Sequence, residues 1–318
     1  MNSNSSAFLE NVGALLLASN VKIKSSGTRI SFNGLIGETA ISISPGHRSM
    51  DGREISYTVN IDSTLNLARP EGKLDWECYL NLFASTGAVI ISDSKLCIKS
   101  TLPVCSEEAE DVIRAYELII FTAAMTHTYA LHATIVDALH APVSKGSPLP
   151  HSSDDGVWNP MSFSQTVSTL NASGILAFAH GCSLSAEFAW EPGAISMLQA
   201  PQFGRGCTSL LRIECGEHPS LGKGVFCRLD LPSRMSDDEA NNLANTLNRM
   251  ESIAEDWPLL GAWTAQKGSG NPTFVSFWPN MFSSTRIDVP MMTDWMGARA
   301  LAVAGWLREN REQDAAVK

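Results

Sequence analysis

The chain has 318 residues and a mass of 34.3 kDa, room for two domains at about 150 residues each. Hydrophobic residues make up 44% and charged ones 18%, which excludes extended disorder and a coiled-coil rod. The net charge is −10 and neither half is basic, so the concentrated positive face that phosphate backbones require is missing and no nucleic-acid partner is expected.

At the N-terminus, Phe8, Leu9, Val12, Leu15 and Leu16 recur at helical spacing. No basic residue precedes this run and Glu10 interrupts it, so it reads as an amphipathic helix rather than a signal peptide. Strands follow: Ile30 to Phe32, Ile41 to Ile43, then Ile55, Tyr57, Val59 and Ile61 alternating with Ser56, Thr58 and Asn60. Trp76, Cys78, Leu80 and Leu82 alternate in the same way and read as a further strand, followed by Ala88 to Ile91 and Leu96 to Ile98. Alternation this regular predicts antiparallel meanders. A long helix is expected from Ser106, with Glu107, Glu108, Glu110 and Asp111 in its first turns, where carboxylates complement the helix dipole.

Within that helix, Leu118 to Val136 runs without Asp, Glu, Lys or Arg for a length close to a membrane span. Its four threonines and two histidines, and the acidic turn before it, favour a helix buried in protein, so no membrane association is expected. Ala141 to Pro160 holds four prolines and four serines with no periodicity, and reads as a linker. The expected organisation is therefore a first module over 1–140, a linker over 141–160 and a second module over 161–318.

The second half repeats the order. A short helix near Ser162 to Leu170 precedes strands at Ile175 to Phe178, Ser185 to Trp190, Ser209 to Cys215 and Gly224 to Leu231. Ser236 with Glu239 forms an S-x-x-E capping box for a second acidic helix start, and a hairpin (Leu260 to Ala265, Thr273 to Trp278) and a helix from Met291 to Asn310 close the chain. The predicted class is α+β, two similar modules that each pair an antiparallel sheet with flanking helices. The join from Lys95–Pro103 into Ser106–Ile113 matches that from Val225–Pro232 into Ser236–Leu243, and reads as an internal duplication. A generic strand, Leu-Pro turn and acidic helix start would give the same match.

Motifs of reaction chemistry are weak. Gly216 to Gly224 (GEHPSLGKG) has one residue too many for a phosphate loop, and Gly224 stands where the Ser or Thr should be, so it reads as a hairpin turn. Cys207, Cys215, His218 and Cys227 lack the paired spacing of a zinc site. His127, His132 and His140 form no HExxH, and no GxSxG or strand-borne GxGxxG occurs. No catalytic residue, metal or cofactor is therefore assigned. The seven cysteines are odd in number and without a CxxC pair, as in a cytoplasmic protein.

Five of the eight tryptophans (Trp257, Trp263, Trp278, Trp295 and Trp306) crowd the last quarter, and such clustering fits either a filled core or a contact surface. On the second reading, Trp278, Pro279 and Asn280 with Trp295 and Trp306 are the candidate partner-binding region. The repeated order of helix, strands and helix, the stretch LDLPSRMSDDEANNLANTL (Leu229 to Leu247) and the segment FVSFWPN (Phe274 to Asn280) resemble the fold shared by type III secretion chaperones and YbjN-like proteins. That resemblance implies a scaffold without catalysis that binds extended or partly unfolded polypeptide, with relatives that work as homodimers. The first functional expectation is a protein-interaction module, chaperone-like or regulatory, with a protein or peptide partner and a homodimer as a possible assembly. The alternative is an enzyme with its site in the cleft between the two modules.

Overall fold

Alternating burial along the chain builds two antiparallel sheets, each with one wet face and one face against helices. The computed structural model describes residues 3–34, 37–49, 52–68, 76–81, 86–92, 95–127, 158–189, 208–218, 221–232, 235–254, 257–266, 268, 270–284 and 288–316. The first half runs α1 (Ser3–Ala18), β1 (Ile23–Ser26), β2 (Arg29–Asn33), β3 (Gly37–Arg48), β4 (Glu54–Ala68), α2 (Trp76–Asn81), β5 (Ala88–Ser92), β6 (Lys95–Cys105) and α3 (Glu110–Met125). The second runs α4 (Pro160–Ala172), β7 (Leu176–Ala179), β8 (Ser183–Ala189), β9 (Thr208–His218), β10 (Gly222–Asp230), α5 (Asp237–Glu251), β11 (Ala262–Ala265), β12 (Pro272–Pro279), a short 3-10 helix (Asn280–Ser284) and α6 (Val289–Ala316). Residues 128–157, which include most of the expected linker together with His132 and His140, lie outside the described residues. Asn159 caps α4 by accepting from the Met161 amide at 3.0 Å, with Pro160 at the first helical position.

The sheet orders are β1-β2-β3-β4-β6-β5 and β7-β8-β9-β10-β12-β11, the same topology twice. In each, four strands meander, a helix intervenes, the fifth strand takes the edge and the sixth returns beside the fourth. Register fixes the correspondence: Val89 pairs with Ile98 where Trp263 pairs with Phe274. That alignment sets Gly87 on Gly261, Ser100 on Ser276 and Pro103 on Pro279, and it corrects the sequence match. The counterpart of Lys95–Pro103 is the β12 segment ending at Pro279, whereas Val225–Pro232 belongs to the fourth strand of its sheet. A strand ending in Leu-Pro before an acidic turn is too common a pattern to set register.

Two other expectations change. Trp76 to Asn81 is a helix rather than a strand, because Glu77, Leu80 and Asn81 are buried together at the i, i+3, i+4 spacing of one helical face. The acidic helix begins at Glu110, not Ser106, because the Ser106 amide donates to the Glu54 carbonyl at 2.9 Å and prolongs the sheet pairing by one residue. The Ser236–Glu239 capping box is present, with the Glu239 amide donating to Ser236 Oγ at 3.3 Å and the Ser236 amide to Glu239 Oε2 at 2.9 Å.

The halves meet through their fifth strands. Helix α2 packs on β11 and α5 packs on β5, a reciprocal arrangement of the kind a twofold axis generates. Glu77 ties it together, accepting from the Ile91 amide at 2.7 Å and from Arg249 of α5 at 2.6 Å. Thr101 and Leu259 exchange two backbone hydrogen bonds, at 3.3 and 2.8 Å. One apolar cluster runs through both halves, from Phe8 and Val12 to Met292 and Val303. No helix among the described residues is long and apolar enough to cross a membrane; Ile119, Ile120 and Phe121 are buried in α3.

Candidate functional site

Helix–strand joints position the polar groups of the interior. In the first half the C-terminal end of α3 drives His127, 1% exposed, against the sheet, where Ser63 Oγ lies 3.2 Å from Nδ1 and Ser100 Oγ 2.8 Å from Nε2. Ser100 donates its proton to the Thr86 carbonyl, so it accepts from Nε2–H. Nδ1 then accepts from Ser63, which in turn accepts from Thr39 at 2.8 Å. The chain of donors runs one way, from Thr39 to Thr86, and is complete. Gly87 makes room for it: a Cβ there would strike both Ser100 Oγ and His127 Nε2.

This arrangement superficially resembles a nucleophile with its base. The Ser100 proton points at a carbonyl instead of the imidazole, however, and Ser63 and Ser100 are 2% and 1% exposed. Burial holds the His127 pKa down at about 4. The unfolded chain, with an ordinary imidazole near 6.5, binds a proton that the folded chain refuses between those values. Stability is therefore full above pH 6.5 and falls as pH drops toward 4, by about 3 kcal/mol from this residue. Urea titrations of wild type and His127→Gln across that range are expected to show the variant less stable at neutral pH but with a flatter pH dependence.

Between the halves lies a cavity of about 80 Å³ lined by Arg53, Cys105, Glu108, Tyr116, Trp257 and Trp295, among others. Tyr116 donates to Glu108 at 3.2 Å, and burial, then the Glu108 charge, hold its hydroxyl well above the ordinary phenol range. That volume is well below the roughly 300 Å³ or more typical of small-molecule sites. The other displaced groups lie elsewhere. Burial pushes Cys227 up to about 12 among core side chains, where its thiol faces Met292 at 3.8 Å. Cys215 is pushed up to about 11 by burial and its neighbour Cys182, and Glu117 is raised by burial beside Asn11. Among the described residues no three His, Cys, Asp or Glu side chains are grouped to hold a metal.

The tryptophan-rich segment lies inward. Trp278 is 2% exposed, meets Phe282 edge-on and lies tilted against Trp295, Pro279 and Asn280 are buried, and Trp295 and Trp306 are half-buried against the core. Trp295 also reaches Tyr116 across the junction, with ring centroids 6.5 Å apart. Trp278, Pro279 and Asn280 thus fill the second core, and the exposed apolar surface is elsewhere.

Leu17, Met161, Leu176 and Phe178 are four of the six large apolar side chains exposed among the described residues. Leu17 lies in the last turn of α1, Met161 in the first turn of α4, and Leu176 and Phe178 on β7. In the first half an open groove of about 250 Å³ is floored by Leu9, Gly13, Ile23 and Ile30 and rimmed by Glu10 and Leu17. Sequence reading missed it because Leu17 continues an apolar run whose other members, Val12 and Leu16, are fully buried. No family model, curated protein or solved structure matches the chain.

Proposed function

We propose that the chain is a protein-interaction module, chaperone-like or regulatory, which holds an extended or helical segment of a partner protein in the groove between α1 and β1. The observation that carries this reading is the open groove beside exposed Leu17, whose floor of Leu9, Gly13, Ile23 and Ile30 is apolar. The groove has room for an apolar side chain or two, and Ser6, Glu10 and Ser25 in its lining offer polar contacts to the segment. The likeness to secretion chaperones and YbjN-like proteins points the same way. Dispersal of the perturbed groups among separate buried sites, and the small volume of the cleft at Tyr116, weigh against the enzymatic alternative. Thiols at Cys182, Cys215 and Cys227 suit the cytoplasm as the place of action.

A photo-cross-linking residue placed at Leu17 is expected to capture one defined polypeptide in the cells of origin, and the same group at Ile253, 77% exposed just past the end of α5, is expected to capture none. With the cross-linker moved to Glu10 on the groove's rim, Leu17→Glu should abolish the capture at unchanged melting temperature. Equal labelling from Leu17 and Ile253 would refute the assignment.

A further inference from the structure

Two thiols meet at one end of the second sheet. The turn between β7 and β8 has two residues, Gly181 and Cys182: His180 and Ser183 on either side of it exchange backbone hydrogen bonds at 3.0 and 3.2 Å, and Gly181, at φ +60°, supplies the left-handed residue that such a turn needs. Beyond it β8 pairs with β9 from Ser183 and Glu214 onward. One step back along the same register Cys182 faces Cys215, and the Cys215 amide donates to the Cys182 carbonyl at 3.2 Å. Directly opposed residues send their side chains to one face of a sheet, here the face on which Leu184 and Ile213 are buried.

The two side chains are in contact. Cys182 Sγ donates to the Trp158 carbonyl at 3.3 Å, so it receives the hydrogen bond that Cys215 directs at it. Opposed residues joined by a ladder bond have Cα atoms about 5.5 Å apart, inside the roughly 4.4–6.8 Å that a disulfide spans, so an S–S bond fits with little movement of the backbone. Cys215 is exposed and Cys182 half-buried, within reach of a small reagent. No other two thiols among the described residues are so placed: Cys97 lies across from Thr64 and Ile90, Cys105 from Ile55, and Cys227, 1% exposed, from Ile213 and Ser276.

We infer that Cys182 and Cys215 form a redox modification site, which a small-molecule disulfide of the glutathione class converts reversibly into a cross-strand disulfide. One thiolate attacks the small disulfide and expels half of it as a thiolate, leaving a mixed disulfide; the other cysteine then displaces the second half in the same way. The pair gives up two electrons and two protons, and the small disulfide takes up both as two thiols. Burial, then Cys182, pushes the Cys215 pKa up to about 11, so its thiolate is scarce at neutral pH and the exchange is slow there. The exposure of Cys215 keeps the product open to reduction, as in a regulatory disulfide. Oxidation also takes from the Trp158 carbonyl the proton that Cys182 offers it, untying the start of α4 from the β7–β8 turn. Neither cysteine lines the α1–β1 groove, so the fate of this site in a test does not decide the groove's.

The native full chain, incubated with oxidised glutathione, then alkylated, digested without reductant and analysed by mass spectrometry, is expected to yield a linked Cys182–Cys215 peptide pair, two hydrogens lighter than its parts and separated again by dithiothreitol. Cys227 stays unmodified, as the mark of an intact fold. Cys182→Ser and Cys215→Ser should each stop at the mixed disulfide, with glutathione on the cysteine that remains, an adduct that the wild type does not accumulate. Should either variant fold poorly, the wild-type map decides alone. An unmodified wild type, glutathione retained on either cysteine of the wild type, or a bond from either to a different cysteine would each overturn the inference.

Discussion

Replacing Glu251 with Ala is expected to destabilise the fold by about 3–5 kcal/mol, the largest single effect foreseen in this chain. Glu251 Oε1 accepts from Trp263 Nε1 at 2.7 Å, and its carboxylate takes Arg299 Nε at 3.0 and 3.2 Å. Arg299 is 2% exposed, lies 3.8 Å over the Phe274 ring and donates to the Pro258 carbonyl. Burial lowers the Arg299 pKa and the facing carboxylate raises it again, but a guanidinium stays charged, so removing Glu251 strands a cation in apolar surroundings. The double replacement Glu251→Leu with Arg299→Met should cost less than Glu251→Ala alone, since it removes both charges together. Equilibrium urea unfolding of the three variants measures the order, and a double variant weaker than Glu251→Ala would contradict it.

Asn248→Leu is expected to cost about 2–4 kcal/mol, and Asn81→Leu a similar amount, because each strands two buried backbone groups at about 1–3 kcal/mol apiece. Asn248 donates to the Trp263 carbonyl at 2.7 Å and accepts from its N–H at 2.8 Å. Asn81 does the same for Val89 at 2.9 and 2.7 Å. Both asparagines are wholly buried, and leucine has nearly their shape without their hydrogen bonds. Thermal unfolding should show both losses. Asn248→Asp adds a signature, because it buries a carboxylate where a donor is needed and should therefore recover part of its lost stability on mild acidification.

Those paired clamps explain what the sequence conveyed and what it concealed. The long alternations of β3, β4 and β10, the Ser236 cap and the antiparallel class are local signals, readable one window at a time. The true register of the duplication lies in Leu80-Asn81 with Gly87-Ala88 against Leu247-Asn248 with Gly261-Ala262, and in Ser100–Pro103 against Ser276–Pro279. The connection between clamp and strand is longer in the second half, which breaks a direct comparison. Helix α2 was hidden because a short apolar run fits a strand until Asn81 and Glu77 find β5. The burial of Trp278 depends on contact with Trp295, seventeen residues on, beyond the reach of a short window. The α1–β1 groove was equally invisible, since its floor comes from one helix and two strands.

The asparagine clamps also close sheet borders to growth. Asn81 at β5 and Asn248 at β11 each hold an N–H and a carbonyl of a border strand, and Asn171 does the same for Ala177 of β7 at 3.0 and 3.1 Å. A strand from another chain would need those same groups, so three of the four borders are capped by side chains of the chain itself, the work that charge or proline does on other edge strands.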